Sequence, residues 1–119
     1  NFHSEGFNMI FRALQNSPIK SLNCACCGIE SFDIDIEHIP HNLKCLNLHG
    51  NDINADGCLG LATLLRGDYS TLVNLNLSCN KIDDEGVEIL VDALQSNTSL
   101  KSLDLDDNRI SNRGKIMLL

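Results

Sequence analysis

The residues best suited to chemistry in this sequence lie in the run "CACC", from Cys24 to Cys27. Cysteine thiolates are common ligands of zinc, and a further cysteine, Cys45, follows in the next part of the chain. A structural zinc ion needs four such ligands that converge as a tetrahedron. The run is therefore a metal site only if the surrounding elements bring enough thiols together.

The histidines and carboxylates show no spacing typical of catalysis. The four histidines are scattered along the chain: His3, His38, His41 and His49. No pattern places a serine or cysteine nucleophile beside them, so we predict no catalytic residue and no enzymatic activity. The run "DLDDN", with Asp104, Asp106 and Asp107, lacks the further carboxylates and the glycine turn of a calcium loop. Two interpretations of it remain, a solvated acidic patch or a seat for a Lys- or Arg-rich partner segment.

The overall composition limits the classes of partner. The 119 residues include 16 acidic and nine basic side chains, which give a formal charge of -7 that opposes binding to nucleic acid and to anionic membranes. No apolar run is long enough to span a bilayer, and "NFHSEGFNMI" lacks the basic start of a secretory signal. The six cysteines lack paired spacing, which favours reduced thiols. We predict a cytoplasmic protein that binds no nucleic acid, membrane or cofactor.

Three segments of the chain align with one another position by position. They begin at Leu43, Leu72 and Leu100, so that successive copies start 29 and 28 residues apart. Each copy has leucine at offsets 0, 3 and 5, asparagine at offset 8, isoleucine at offset 10 and glycine at offset 14. A match at so many fixed positions indicates a structural repeat.

Each copy predicts a short strand followed by a helix. Leu46 and Leu48 alternate with Asn47, as they would in a strand that buries one face. The second half of the middle copy carries an apolar stripe with helical spacing: Val87, Leu90, Val91 and Leu94. The acidic residues 83–85 precede this stripe, where the amides at the start of a helix favour negative charge.

The pattern L-x-x-L-x-L-x-x-N/C-x-L in these copies resembles the leucine-rich repeat family, and the repeat length resembles its ribonuclease-inhibitor subtype. The resemblance implies an α/β solenoid shaped like a horseshoe. Its parallel strands would line the concave face and its helices the convex face. It also implies that partners dock on the concave face.

The repeats define the expected organisation of the chain. A weaker copy begins at Ile19, but it lacks the glycine and carries Pro40 in its second half, so we expect a short helical turn or an extended segment there. We divide residues 1–119, as a single array, into a partial repeat 1–18, a short repeat 19–42, full repeats 43–71 and 72–99, and a truncated repeat 100–119. Both ends lack polar capping units, so we expect a fragment of a longer protein.

The alternation along the strands predicts which side chains face a partner. Ser21 and Ala25 share these columns with the predicted partner-binding residues. Those residues are Asn23, Cys45, Asn47, His49, Asn74, Asn76, Ser78, Ser102, Asp104 and Asp106. They offer amides and small hydroxyls but no aromatic or arginine anchor. The concave face is therefore either the main binding surface or a solvated strand surface.

A second set of side chains is predicted to face inward and to hold the turns after the strands. This structural ladder consists of Cys27, Asn51, Asn80 and Asn108. Cys24 is a core position on the same template, so packing accounts for the "CACC" run and we predict no metal site. Cys45 and Cys79 are predicted to lie near the surface, where they are the better candidates for oxidation or crosslinking.

These observations predict a non-catalytic, monomeric scaffold that binds a protein partner, which could carry a basic segment, on its concave face. Two alternatives stay open. Ran GTPase-activating proteins resemble the same subtype and use the loops after the strands, where Arg109 could act on a partner's phosphate site. Receptors of the NOD-like kind also resemble it, which would make the array an autoinhibitory or sensor region of a larger protein.

Overall fold

The computed structural model describes residues 2–67 and 70–119, so Asn1, Asp68 and Tyr69 of the predicted repeats lie outside the described residues. In chain order the elements are α1 (Phe2–Ala13), β1 (Ser21–Asn23), a 3₁₀ helix (Ile36–His38), β2 (Cys45–Asn47), α2 (Ala55–Leu65), β3 (Asn74–Asn76), α3 (Asp84–Leu94), β4 (Ser102–Asp104) and α4 (Asn112–Met117). Short strands thus alternate with helical segments along the chain.

The four strands form one parallel sheet in the order β1-β2-β3-β4. The middle leucine of each strand pairs with the equivalent leucine of the next, so that Leu22, Leu46, Leu75 and Leu103 lie side by side. Each strand is followed by a crossover to the next strand in the same sheet. The predicted α/β solenoid with parallel strands is confirmed.

The core lies between the sheet and the helices. Leu48 and Leu77 are fully buried just after their strands, and Ile53 and Ile82 are fully buried in the turns that precede the helices. In α3, Val87 and Leu90 are also fully buried, whereas Glu85 and Glu88 of the same helix are exposed. The sequence forms these layers because the aliphatic side chains recur at the spacing of each element.

Polar side chains start the two long helices of the middle repeats. The Asn54 side-chain oxygen accepts a hydrogen bond from the Gly57 backbone at 3.2 Å, and Asp83 accepts one from Gly86 at 2.9 Å. Both contacts satisfy backbone N–H groups that have no partner inside the helix. The helices therefore begin at the same offset in each repeat and stack in register.

The short repeat has no α-helix between β1 and β2. Its second half is extended except for the 3₁₀ helix, which Asp35 caps by accepting a 3.0 Å hydrogen bond from the Glu37 backbone. Pro40 is buried directly afterwards and cannot donate a helical hydrogen bond. The expectation of a short helical turn or extended segment here is confirmed.

Candidate partner-binding face

A shallow groove of about 470 Å³ crosses the exposed side of the sheet. We call its polar lining the strand face, which consists of Ser21, Asn23, Cys45, Asn47, Asn74, Asn76, Ser102 and Asp104. The strands place these side chains together because residues on either side of the central leucine point away from the core. Seven of the residues predicted to bind a partner thus share one surface, together with Ser21.

One column of the strand face also holds the turns. The side-chain oxygens of Asn23, Asn47, Asn76 and Asp104 each accept a hydrogen bond of 2.9–3.0 Å from the backbone N–H two residues further on. The three amide nitrogens of this column make no hydrogen bond within residues 2–67 and 70–119, so they are donors available to a partner. This double role was not predicted from the sequence, although asparagine and aspartate before a turn are typical of such contacts.

His49 and Ser78 lie beside each other at the end of the strand face. His49 is half-buried, whereas Ser78 is buried rather than exposed as the alternation predicts; its contact with a partner stays a prediction. Its hydroxyl lies 2.8 Å from Nδ1 of His49 and donates to the Asn76 side-chain oxygen at 2.6 Å. The expectation that no serine lies beside a histidine was wrong, because equivalent offsets of adjacent repeats are neighbours. The hydroxyl proton of Ser78 is held by Asn76 and not by the imidazole, so the pair does not form an activated nucleophile.

The strand face ends in an acidic corner. Asp104 is half-buried there, and Asp106 and Asp107 are exposed in the following turn. The Cys79 thiol lies 3.8 Å from the Asp107 carboxylate. Desolvation and that carboxylate raise the pKa of Cys79, so this exposed thiol is a poorer nucleophile than its position alone indicates. Cys45, the other cysteine predicted near the surface, is half-buried within the strand face.

The ladder asparagines connect each turn to the turn before it. Nδ2 of Asn80 donates to the carbonyls of Leu77 and Leu48 at 3.0 Å each, and its oxygen accepts a 3.1 Å hydrogen bond from the Ile53 backbone. Asn51 and Asn108 make equivalent contacts one repeat earlier and one repeat later. These side chains satisfy backbone groups that the tight turns would otherwise leave without a partner.

Cys27 departs from the ladder. Its side chain is exposed rather than inward-facing, and its thiol donates a 3.4 Å hydrogen bond to the carbonyl of Ala25 in its own turn instead of bonding a neighbouring turn. The prediction of an inward position was wrong because no turn of the described residues stacks against this side of Cys27. Cys24 is buried, as a core position requires. Among the described residues there is no group of three or more His, Cys, Asp or Glu that could hold a metal ion.

The loops after the strands carry a separate row of charges. Lys81 forms a 3.1 Å ion pair with Asp52 of the preceding repeat. Arg109, at the next equivalent position, is exposed and forms no ion pair with any residue in the described ranges. Within those same ranges, no helix combines the length and the apolar character needed to cross a bilayer.

Comparison with known proteins agrees with this geometry. A family profile described as "Leucine Rich repeat" matches residues 40–62, 70–91 and 96–119, which together make up more than half of the chain. The chain belongs to the leucine-rich repeat family. The three matches cover the last three copies found by alignment of the sequence with itself.

The relatives are larger proteins. Human "NACHT, LRR and PYD domains-containing protein 5" is 34% identical over 96% of this chain and 10% of its own length. "RAN GTPase-activating protein 2" of Arabidopsis thaliana is 29% identical over 96% of this chain and 22% of its own length. Human "Leucine-rich repeat-containing protein 14" is 31% identical over 87% of this chain and 22% of its own length. The chain thus spans between about a tenth and a fifth of these relatives.

Proposed function

We propose that the chain is a non-catalytic interaction module that binds a segment of a protein partner on the strand face. The observation that carries the proposal is the column of amide nitrogens on Asn23, Asn47 and Asn76. Their oxygens are held by the turns, so the nitrogens are fixed in direction and point donors at the carbonyl oxygens of a bound segment. Donors that are already oriented lose little conformational entropy on binding.

We also propose that the bound segment of the partner is basic. Asp104 and Asp106 extend the column into the acidic corner, where the side chains of a basic segment would meet carboxylates. The chain as a whole carries a formal charge of -7, which favours the approach of such a segment. A cytoplasmic, monomeric state fits the six free thiols, which a reducing compartment preserves.

The test uses substitutions that keep the turns intact. Asn47→Ser combined with Asn76→Ser keeps a side-chain oxygen as acceptor for each turn and removes the amide donor without adding charge. Asp104→Asn in the same protein removes the acidic end. Gln95→Lys, at the exposed end of α3, makes the same net change in charge away from the strand face and serves as the control.

A displayed library of random peptides is selected on the unchanged chain, and the affinities of the selected peptides are then measured on both variants. We expect peptides with basic residues whose binding weakens at least about tenfold, or 1.4 kcal/mol, on the strand-face variant. Binding should be unchanged by Gln95→Lys. A library that yields no binder, or binders indifferent to the strand-face changes, contradicts the proposal.

A second candidate function is GTPase activation. It is supported by the similarity to the Arabidopsis protein named as a Ran GTPase-activating protein, and by the exposed Arg109 without an ion-pair partner in the described ranges. Single-turnover GTP hydrolysis by Ran is measured with and without the chain and its Arg109→Ala variant. Acceleration that disappears in the variant supports this function, and an unchanged rate with the original chain excludes it.

A third candidate is an autoinhibitory or sensor region of a larger protein. It is supported by the similarity to the NACHT, LRR and PYD protein, of which the chain matches a tenth. Sequence flanking this segment in its parent protein distinguishes this role, because it requires an attached domain for the repeats to control.

A further inference from the structure

The function proposed for the strand face gives no role to the "CACC" run, residues 24–27. Cys24 and Cys27 flank a turn whose third residue, Cys26, has a left-handed backbone with φ of 56°. This conformation reverses the chain, so the residues on either side of the turn approach each other. The spacing Cys-x-x-Cys is also that of reactive dithiols in other proteins.

A single side chain shows how closely the two backbones converge. The Asn51 amide donates from Nδ2 to the Cys24 carbonyl at 3.0 Å, and its oxygen accepts from the Cys27 backbone N–H at 3.0 Å. One carboxamide therefore contacts both cysteines at the same time. A disulfide requires Cα atoms about 4.4–6.8 Å apart, a range that such a turn provides.

The two cysteines also border the same space. Both line one small cavity of about 170 Å³, whose other walls include the apolar residues Phe7, Ile10 and Ile29. Cys26, in contrast, does not line this cavity, and its sulfur lies over Gly50 in the next turn. Cys45, Cys58 and Cys79 do not line it either. Two of the six cysteines thus border this cavity.

The two thiols differ in accessibility. Cys27 is exposed, whereas Cys24 is 7% exposed. Burial, with a smaller effect of the neighbouring Cys27, raises the pKa of the Cys24 thiol. An external disulfide therefore meets Cys27 first, and Cys24 is placed to react with the Cys27 sulfur once that sulfur is part of a mixed disulfide.

We propose that Cys24 and Cys27 form a dithiol site that is oxidised to an intramolecular disulfide by exchange with a small-molecule disulfide such as oxidised glutathione. The thiolate of Cys27 attacks one sulfur of oxidised glutathione, and one glutathione thiolate leaves. The thiolate of Cys24 then attacks the Cys27 sulfur of the mixed disulfide and displaces the second glutathione. Two protein thiols are oxidised, one glutathione disulfide is reduced, and the two protons pass to the departing thiolates.

The test uses the full 119-residue chain with Cys26, Cys45 and Cys79 changed together to serine. This background keeps the proposed pair and the fully buried Cys58, whose pKa burial raises to about 12. The chain is incubated with oxidised glutathione and analysed by intact mass and peptide mapping, with circular dichroism to verify folding. We expect the mass to fall by two hydrogen atoms, with residues 24 and 27 linked and no glutathione retained.

Two further variants on the same background test the order of the steps. Cys24→Ala lacks the resolving thiol, so it should retain one glutathione on Cys27. Cys27→Ser, which changes an exposed position and leaves the core intact, should not react at all. A stable glutathione adduct on the pair-containing chain, no reaction there, a link to Cys58, or glutathione on Cys24 in the Cys27→Ser variant would overturn the proposal.

Discussion

Individual polar side chains carry specific parts of this fold. Asn80, in the middle of the ladder, bonds its own turn and the preceding one and accepts from the buried Ile53 N–H. The carbonyls that it contacts keep a second donor, since Asn51 also bonds the Leu48 carbonyl and Asn108 the Leu77 carbonyl. The Ile53 N–H, in contrast, donates to the side-chain oxygen of Asn80 and has no second acceptor among the described residues.

The Asn80→Ala substitution should therefore destabilise the chain by about 1–3 kcal/mol, because it leaves the Ile53 N–H buried without an acceptor. Asn74→Ala is the matched control, since Asn74 is exposed on the strand face and makes only a 3.5 Å contact to the sulfur of Cys45. The control should change stability by less than about 0.5 kcal/mol. Urea unfolding measures both, and equal effects would contradict the assigned role of the ladder.

Asp84 makes the stability of the chain depend on pH. Hydrogen bonds from the hydroxyl and then the backbone N–H of Ser111 hold the pKa of Asp84 below its ordinary value. A carboxyl whose pKa is lower in the folded than in the unfolded state stabilises the fold above its unfolded pKa. That contribution is lost as the pH falls through the folded pKa.

We expect the midpoint of urea unfolding to fall as the pH drops below about 4, and to fall less in Asp84→Asn, which cannot titrate. Ser111→Ala should also flatten the pH dependence, because it removes the first donor to the carboxylate. If the curves of both variants parallel that of the unchanged chain, Asp84 is not the linked group.

At the scale of elements, glycine allows a helix to pack closely against the neighbouring segment of the chain. A Cβ on Gly57 at the start of α2 would lie 2.5 Å from the Glu30 carbonyl oxygen and 2.8 Å from a methyl carbon of Ile53. The extended half of the short repeat thus lies directly against α2. At Gly6 in α1 the same point has no heavy atom within 4 Å among the described residues outside the local helix backbone and the two chain neighbours.

These two glycines should respond to alanine in opposite directions. Gly57→Ala should destabilise the chain by about 1–3 kcal/mol, since the clash involves backbone that cannot rotate away. Gly6→Ala should stabilise it by about 0.5–1 kcal/mol, because alanine is the better helix former and nothing obstructs its methyl group. Thermal unfolding measures both, and a Gly57→Ala protein as stable as the original would argue against the close packing of α2.

The whole molecule is a stack in which each repeat is stabilised by its neighbours. It measures 40 × 31 × 19 Å, with the strand face on one broad side and the helices on the other. The core is aliphatic apart from Cys24, Cys58 and the phenylalanines Phe7 and Phe11, whose stacked rings lie 5.2 Å apart. The middle of the stack therefore depends on leucine packing.

Leu77→Ala should destabilise the whole array by about 2–5 kcal/mol, because Leu77 is fully buried in the middle repeat. Leu59→Ala provides the comparison, since Leu59 is 57% exposed on α2 and its truncation should have little effect. Circular dichroism and urea unfolding monitor the transition. Loss of structure confined to one end of the chain, or an equal loss of stability in the two variants, would contradict a continuous core.

The sequence predicted the architecture because leucines at fixed offsets allow only one strand register that buries them all. Leu46, Leu75 and Leu103 pair as that register requires. The acidic residues 83–85 similarly predicted the start of α3, which begins at Asp84 with Asp83 as its cap. The short repeat was predicted in outline because Pro40 prevents a long helix.

The tertiary structure decided the directions and neighbours of side chains. Offsets place His49 and Ser78 in adjacent repeats, but only the folded chain buries Ser78 and bonds its hydroxyl to Asn76. Likewise, the pattern assigned Cys24 and Cys27 to packing roles, whereas the structure exposes Cys27 and places both residues at one cavity. Periodicity determines which face a residue occupies, because it follows from backbone geometry. Contacts between residues a whole repeat apart depend on rotamers and turn conformation, which no spacing in the sequence specifies.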